Sequence, residues 1–273
     1  MSSIDCSIRG GTYPWSFGQK PSFPIIPGAD CVGTITSCGP NAEKHGIEVG
    51  DRVAALVLHG GNAKYKTLNY KDCVKVPEDV DGGDAVATIR TYTSAFQALM
   101  QGVKGQGRYS RKPLNGKKIL IVGACGTFER ACVELSLLLG ARKVFFSAVS
   151  SGGQSHNNYI RLLGAKPLGD DPEEWVDVIQ GTIDVAIDSI CQDRYEHSYA
   201  ALNDDGILVG TGMSEITKDG NDIFATVEKN WTQMTVALDN SCTYYNGIVD
   251  SWKHEKEKCM VSTLIENQLK RTV

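Results

Sequence analysis

Glycines set between an apolar strand and a helix can hold a phosphate, and this chain offers one such place. Residues 119–122 (Ile-Leu-Ile-Val) form a short apolar run suited to a strand buried on both faces of a parallel sheet. Gly123 and Gly126 follow at once. Phe128, Ala131, Cys132, Leu135, Leu138 and Leu139 then recur at the spacing of one helical face, Gly140 stands where a helix should end, and 144–146 resume an apolar strand. In such a β-turn-α-β unit of about 30 residues, glycines let the backbone bend sharply and let a pyrophosphate approach the free N–H groups of the helix. The candidate cofactor-binding residues are therefore Gly123, Ala124, Cys125, Gly126, Thr127 and Phe128. The pattern is incomplete. Where a third glycine is usual stands Glu129, whose carboxylate suits the helix dipole but competes with a pyrophosphate for the same positive end. A lone G-x-x-G equally describes a tight strand-to-helix turn.

The end of the next strand reads Ser147, Ala148, Val149, Ser150, Ser151, without the acid that NAD-preferring folds use to hold the ribose hydroxyls. Ser147 and Ser150 leave room for a 2′-phosphate, so the expected dinucleotide is NADP(H). An ordinary polar loop has the same composition. Cys125, just before a helix, is placed where the dipole can lower a thiol pKa and make it reactive.

The elements around this turn divide the chain in two. Residues 2–27 read as loop, broken by Gly10, Gly11 and four prolines. Strands are expected at 31–37, 52–58, 63–68 and 73–76, with turns between them, as in part of a small barrel. Helical spacing covers 83–100. The polar stretch 101–115 marks a boundary, giving a first domain over 1–105 and a second over 106–273. Beyond the opening unit, helices at 159–163, 173–179 and 194–202 alternate with strands at 183–188 and 206–209, which implies a doubly wound α/β fold with a parallel sheet. An edge strand at 232–238 and an amphipathic helix at 256–269 complete the reading.

Across 273 residues, 41% are hydrophobic and 22% charged, with a formal charge of -4. That balance argues against a nucleic-acid footprint or a basic membrane anchor, and no apolar run is long enough to cross a bilayer. A soluble protein is expected. The nine cysteines show no C-x-x-C pair, so reduced thiols in the cytoplasm are the better expectation than a zinc knuckle or a disulfide framework.

In order and spacing these motifs resemble the medium-chain dehydrogenase/reductase superfamily, in its zinc-free quinone oxidoreductase branch. The resemblance rests on I-D-C-S-I-R-G-G-T-Y at 4–13, F-P-I-I-P-G-A-D-C-V-G-T-I at 23–35, V-G-D-R-V at 49–53, G-G-N-A-K-Y at 60–65, T-S-A-F-Q-A-L at 93–99, the glycine turn, and I-D-V-A-I-D at 183–188. It implies a partial GroES-like β-barrel domain and a Rossmann domain, with NADPH in the cleft between them and homodimers formed through the Rossmann sheet edge. Carried over by position, Tyr13 lines the substrate pocket as the candidate catalytic residue, and Ser94 lies near the nicotinamide carboxamide. Tyr13 read on its own is equally a packed loop aromatic.

Zinc-dependent relatives carry Cys and His where this chain has Ser2 and Ala29, so no metal is expected. The family's barrel begins before Ile4 and its chain returns to the barrel after Leu269, so flanking pieces are expected to be missing here. The reading is an NADP(H)-dependent reductase of quinones or α,β-unsaturated carbonyls. The alternative is a non-catalytic relative that has lost its cofactor and acts by binding or dimerisation, which Glu129 favours.

Overall fold

The computed structural model describes residues 3–10, 24–57, 59–103, 111–123, 126–148, 153–169, 171–190, 195–211 and 231–233. They fall into two compact units divided between Thr93 and Ser94.

In the first unit, strands β1 (Asp30–Thr34), β2 (Arg52–Leu56) and β3 (Cys73–Lys75) make an antiparallel sheet in the order β1-β2-β3. β2 reads R-V-A-A-L rather than alternating because both of its faces are covered. Ala54 and Leu56 pack with Val32, Val74 and Ile89 on one side. On the other, Val53 and Cys73 pack with Ala42 and Ile47, Ala42 belonging to the short helix α2 (Pro40–Lys44). Ile89 sits on the long helix α3 (Gly82–Gln101), which starts where the Asp81 carboxylate accepts the Gly83 and Asp84 N–H groups at 2.7 and 3.3 Å. Arg90 of α3 returns to β1, its Nε donating to Asp30 Oδ2 at 3.1 Å and its Nη2 to the Ala29 carbonyl at 2.7 Å.

Two expectations fail in this unit. Residues 2–27 are not loop throughout: α1 (Ser3–Gly10) is helical, because the helix breakers begin only at its last residue. Asp5 and Ile8, three apart, share a buried face, and the Asp5 carboxylate accepts the Gly28 N–H at 3.0 Å. The strand expected at 63–68 is absent. The Gly60, Gly61 and Asn62 N–H groups instead donate to the carbonyls of Ile26, Gly28 and Pro27, and Tyr65 is 72% exposed, so no apolar face forms. Among the described residues this unit has three strands where the sequence suggests four.

Cys73 gives this unit a pH signature. Burial, then the Asp72 charge, push its thiol from 9.0 up to about 11. The folded chain thus holds this proton more tightly than the unfolded one. Its contribution is whole below about pH 9 and is lost as the pH rises through about 11. Urea melts across that window should show a steeper loss of stability for the unaltered chain than for Cys73→Ala; equal slopes would dismiss the effect.

The second unit is a six-stranded sheet in the order β6-β5-β4-β7-β8-β9, parallel throughout. Its strands are β4 (Lys118–Gly123), β5 (Lys143–Ala148), β6 (Lys166–Pro167), β7 (Ile183–Asp188), β8 (Leu202–Gly210) and β9 (Trp231–Gln233). Between them run α4 (Thr127–Leu138), α5 (Gly153–Leu162), α6 (Pro172–Ile179) and α7 (Tyr195–Ala200). Leu120, Val122, Phe145, Ala186 and Leu208 form one sheet face, covered by Trp175, Val176 and Ile179 of α6. Asp171 caps α6 by accepting the Glu173 N–H at 3.1 Å, with Pro172 opening the helix. α4 lies against β4 and β5. It ends where Gly140 takes φ +93°, the left-handed conformation that glycine tolerates.

β8 begins earlier than expected, at Leu202, so the helix expected at 194–202 stops at Ala200. Asn203, Asp204 and Asp205 read as turn formers, but Asn203 is tied to β7 by its Nδ2 donating to Asp184 Oδ1 at 3.2 Å. Of the strand expected at 232–238, Thr232 and Gln233 fall in β9 and the rest lies outside the described residues, as does the helix at 256–269.

Candidate functional site

Strand order sets the place. β4 has β5 on one side and β7 on the other, so successive crossovers leave β4 in opposite directions, and open sheets of this kind bind ligands beyond the carboxyl ends of those two strands. Val122 and Asp188 are paired there, one residue before the end of β4 and at the end of β7. Gly123 closes β4, and Gly126, in extended conformation, is the N-cap of α4 with no side chain of its own to cap the helix. The twelve-residue helix therefore presents its positive end to this corner.

The corner is filled from within. Glu129 is the third residue of α4, the position from which a carboxylate reaches back over the start of a helix. It is only 7% exposed. A methyl placed on Gly123 would collide with Glu129 Cγ, and one on Gly126 would stand 2.6 Å from Glu129 Oε2. Its other oxygen, Oε1, accepts a hydrogen bond from the Ser189 hydroxyl. Ser189 follows β7 directly, and its N–H donates to the Val122 carbonyl at 2.9 Å. A bond between α4 and the end of β7 thus closes over the glycine turn. The Glu129 charge also reaches Cys132, whose thiol is pushed well above its ordinary range, mainly by complete burial.

Asp188 supports the corner from below. It is 1% exposed, and its carboxylate accepts the Ile190 N–H at 2.9 Å and the Ser198 hydroxyl at 2.6 Å. A second buried acid of α4, Glu134, is committed to a different task. It accepts from Arg130 Nε and from the Tyr159 hydroxyl, both at 2.9 Å, while the Arg130 guanidinium stacks 4.2 Å from the centre of the Tyr159 ring. That cluster clasps α4 to α5, and burial together with Glu134 pushes the Tyr159 phenol up.

Of the residues expected in the site, the fold brings Gly123, Gly126, Thr127 and Phe128 to the turn. Gly123 is buried, Thr127 exposed and Phe128 half-buried. Ser147 ends in a buried position with its hydroxyl donating to the Gly169 carbonyl at 3.0 Å. Ser94 is half-buried on α3. Tyr13, Ala124, Cys125 and Ser150 lie outside the described residues. Ser189 was not among the expected residues. The signal was available: when β7 is laid beside β4, the residue after it must face the turn after β4. Among the described residues no three His, Cys, Asp or Glu side chains gather as a metal site requires.

These contacts decide whether a dinucleotide fits. The uncapped start of α4 suits a diphosphate, but the Glu129 carboxylate stands in its place, and two anions do not share one helix end. A dinucleotide therefore fits this turn only with the Glu129 side chain moved out of it.

Residues 1–104 match the family model of the alcohol dehydrogenase GroES-like domain. The synaptic vesicle membrane protein VAT-1 homolog-like of Homo sapiens is 22% identical over 234 residues, covering 86% of this chain and 52% of that protein. The chain thus spans about half the length of the curated relatives it matches. The crystal structure of an alcohol dehydrogenase superfamily protein from Novosphingobium aromaticivorans superposes with a TM-score of 0.68 at 22% identity, covering 94% of this chain and 77% of that one. The quinone oxidoreductase of Thermus thermophilus, solved also in complex with NADPH, superposes with a TM-score of 0.61 at 21% identity, covering 91% and 74%. A GroES-like domain at the amino end, followed by a parallel sheet in Rossmann order, identifies the chain as one with the fold of the medium-chain dehydrogenase/reductase superfamily.

Proposed function

We propose that the chain serves metal-free, NADP(H)-dependent reduction of a quinone or an α,β-unsaturated carbonyl, with Glu129 turned out of the glycine turn when cofactor is bound. The observation that carries this reading is the place of Gly123 and Gly126, at the point where the crossovers of the sheet reverse. The absence of an acid at the end of β5, where Ser147 stands, favours NADP(H) over NAD(H). The likeness to a quinone oxidoreductase solved with NADPH supports the same choice.

When bound, such a cofactor supplies a hydride to the conjugated double bond. The work left to the chain is to bind, orient and donate hydrogen bonds. Amides 123–128 would hold the diphosphate, Ser94 would face the carboxamide, and Tyr13 would donate to the oxygen on which negative charge develops. Pairing of two copies through the edge of the Rossmann sheet belongs to this reading.

A second reading has its own observation. The Glu129 carboxylate in the turn favours a relative that has given up the cofactor and works by binding. NADPH oxidation by the intact chain, followed with a panel of quinones and enones, decides between them. The enzyme reading expects consumption that depends on the acceptor. No turnover and no calorimetric binding at millimolar NADPH, in the unaltered chain and in Glu129→Ala alike, would leave the second.

A further inference from the structure

Resting on the NADP(H) reading, we infer that Glu129 is a built-in occupant of the dinucleotide site, latched by Ser189, which the cofactor must displace in order to bind. Three observations converge on it. Glu129 is 7% exposed, a burial that carboxylates seldom reach without a partner. Its stem lies against Gly123 and its Oε2 against Gly126, the two residues that leave space for a diphosphate. Its Oε1 is held by a hydroxyl from the opposite strand end, Ser189, whose backbone is fixed to Val122.

The latch works by substitution of one anion for another. A helix N-terminus stabilises negative charge, and here the chain supplies that charge itself. An incoming diphosphate must break the Ser189 bond, turn the carboxylate out of a buried position and take over the helix end. A residue argued from the sequence as a competitor thereby acquires a partner, a resting position and a way to be released.

The experiment titrates NADPH, and separately inorganic pyrophosphate, into the full chain by calorimetry, with circular dichroism and melting curves as controls for folding. Unaltered protein is compared with Glu129→Ala, Glu129→Gln and Ser189→Ala. Glu129→Ala should bind NADPH at least tenfold more tightly than the unaltered chain, about 1.4 kcal/mol of binding free energy. Pyrophosphate should raise the melting temperature of Glu129→Ala and leave that of the unaltered chain where it was. Ser189→Ala should fall between them, because it loosens the latch without removing the charge. If Glu129→Ala does not fold, Glu129→Gln carries the test, since it keeps the shape of the side chain and discards its charge. Equal affinity of the unaltered chain and these variants would overturn the latch and leave the NADP(H) reading standing. Folded variants that bind neither probe would remove both.

Discussion

Gly28→Ala should cost the first unit about 2–6 kcal/mol, more than an exposed glycine replacement. Two separate penalties meet at this residue. Its φ of +107° is a backbone conformation that an L side chain adopts only under strain, about 1–3 kcal/mol. A methyl at this place would also collide with the Asn62 nitrogen and stand 2.7 Å from the Gly61 carbonyl carbon. Those are backbone atoms with no rotamer to change, and overpacking of this kind costs about 1–3 kcal/mol more. Relief by moving the loop would break the Gly61 N–H bond to the Gly28 carbonyl at 2.8 Å and the Gly28 N–H bond to Asp5. Gly46→Ala is the comparison. Its φ is +73° with nothing within 4 Å, so only the strain applies, about 1 kcal/mol. Urea denaturation of both variants reads the difference; a Gly28→Ala loss no larger than that of Gly46→Ala would show that residues 60–62 yield.

The second large effect is expected in the other unit. Asp188→Ala should destabilise by about 2–4 kcal/mol, because two hydrogen bonds to a charged acceptor disappear and one of their donors, the Ser198 hydroxyl, stays buried. The Ser198 hydroxyl, on a residue 1% exposed, is then shut off from solvent, whereas Ile190 is half-buried. Asp188→Asn should cost about 1–2 kcal/mol. The amide oxygen can go on accepting from Ile190, and the Ser198 hydroxyl can rotate to accept from the amide nitrogen. Because Ser189 is the next residue, Asp188→Ala should also free Glu129. Melting curves give the first effect and pyrophosphate binding the second; identical curves for the two variants would mean that shape, not charge, holds Ser198.

What the sequence made legible follows from how local each cause is. β4 carries a continuous apolar run at 119–122 fixed by its own composition, and I-D-V-A-I-D, apolar apart from Asp184 and Asp188, matches β7 residue for residue. The face of α4 was readable from Ala131, Cys132, Leu135 and Leu139, all of them buried. α1 was hidden by the glycines and prolines that follow it, although Asp5 and Ile8 already had helical spacing. β6 is two residues long and carries a proline, so no pattern could announce it. The candidate site divides along the same line. Gly123, Gly126 and Glu129 lie within one turn and could be read together. Ser189 and Asp188 matter only because the crossovers bring β7 beside β4, a relation between distant segments that no local pattern carries.

That adjacency bears on how the chain assembles. β4 can pair with β5 as soon as residue 148 has been made, but its other edge waits for β7, which starts at Ile183. At about 5–20 residues per second the nascent chain spends seconds with the backbone of Ile119, Leu120, Ile121 and Val122 half-paired and apolar on both faces. A wrong strand, from this chain or another, could dock there first. The central strand of the sheet is thus also its point of greatest exposure to misassembly, and the same late pairing that seals it brings Ser189 to Glu129.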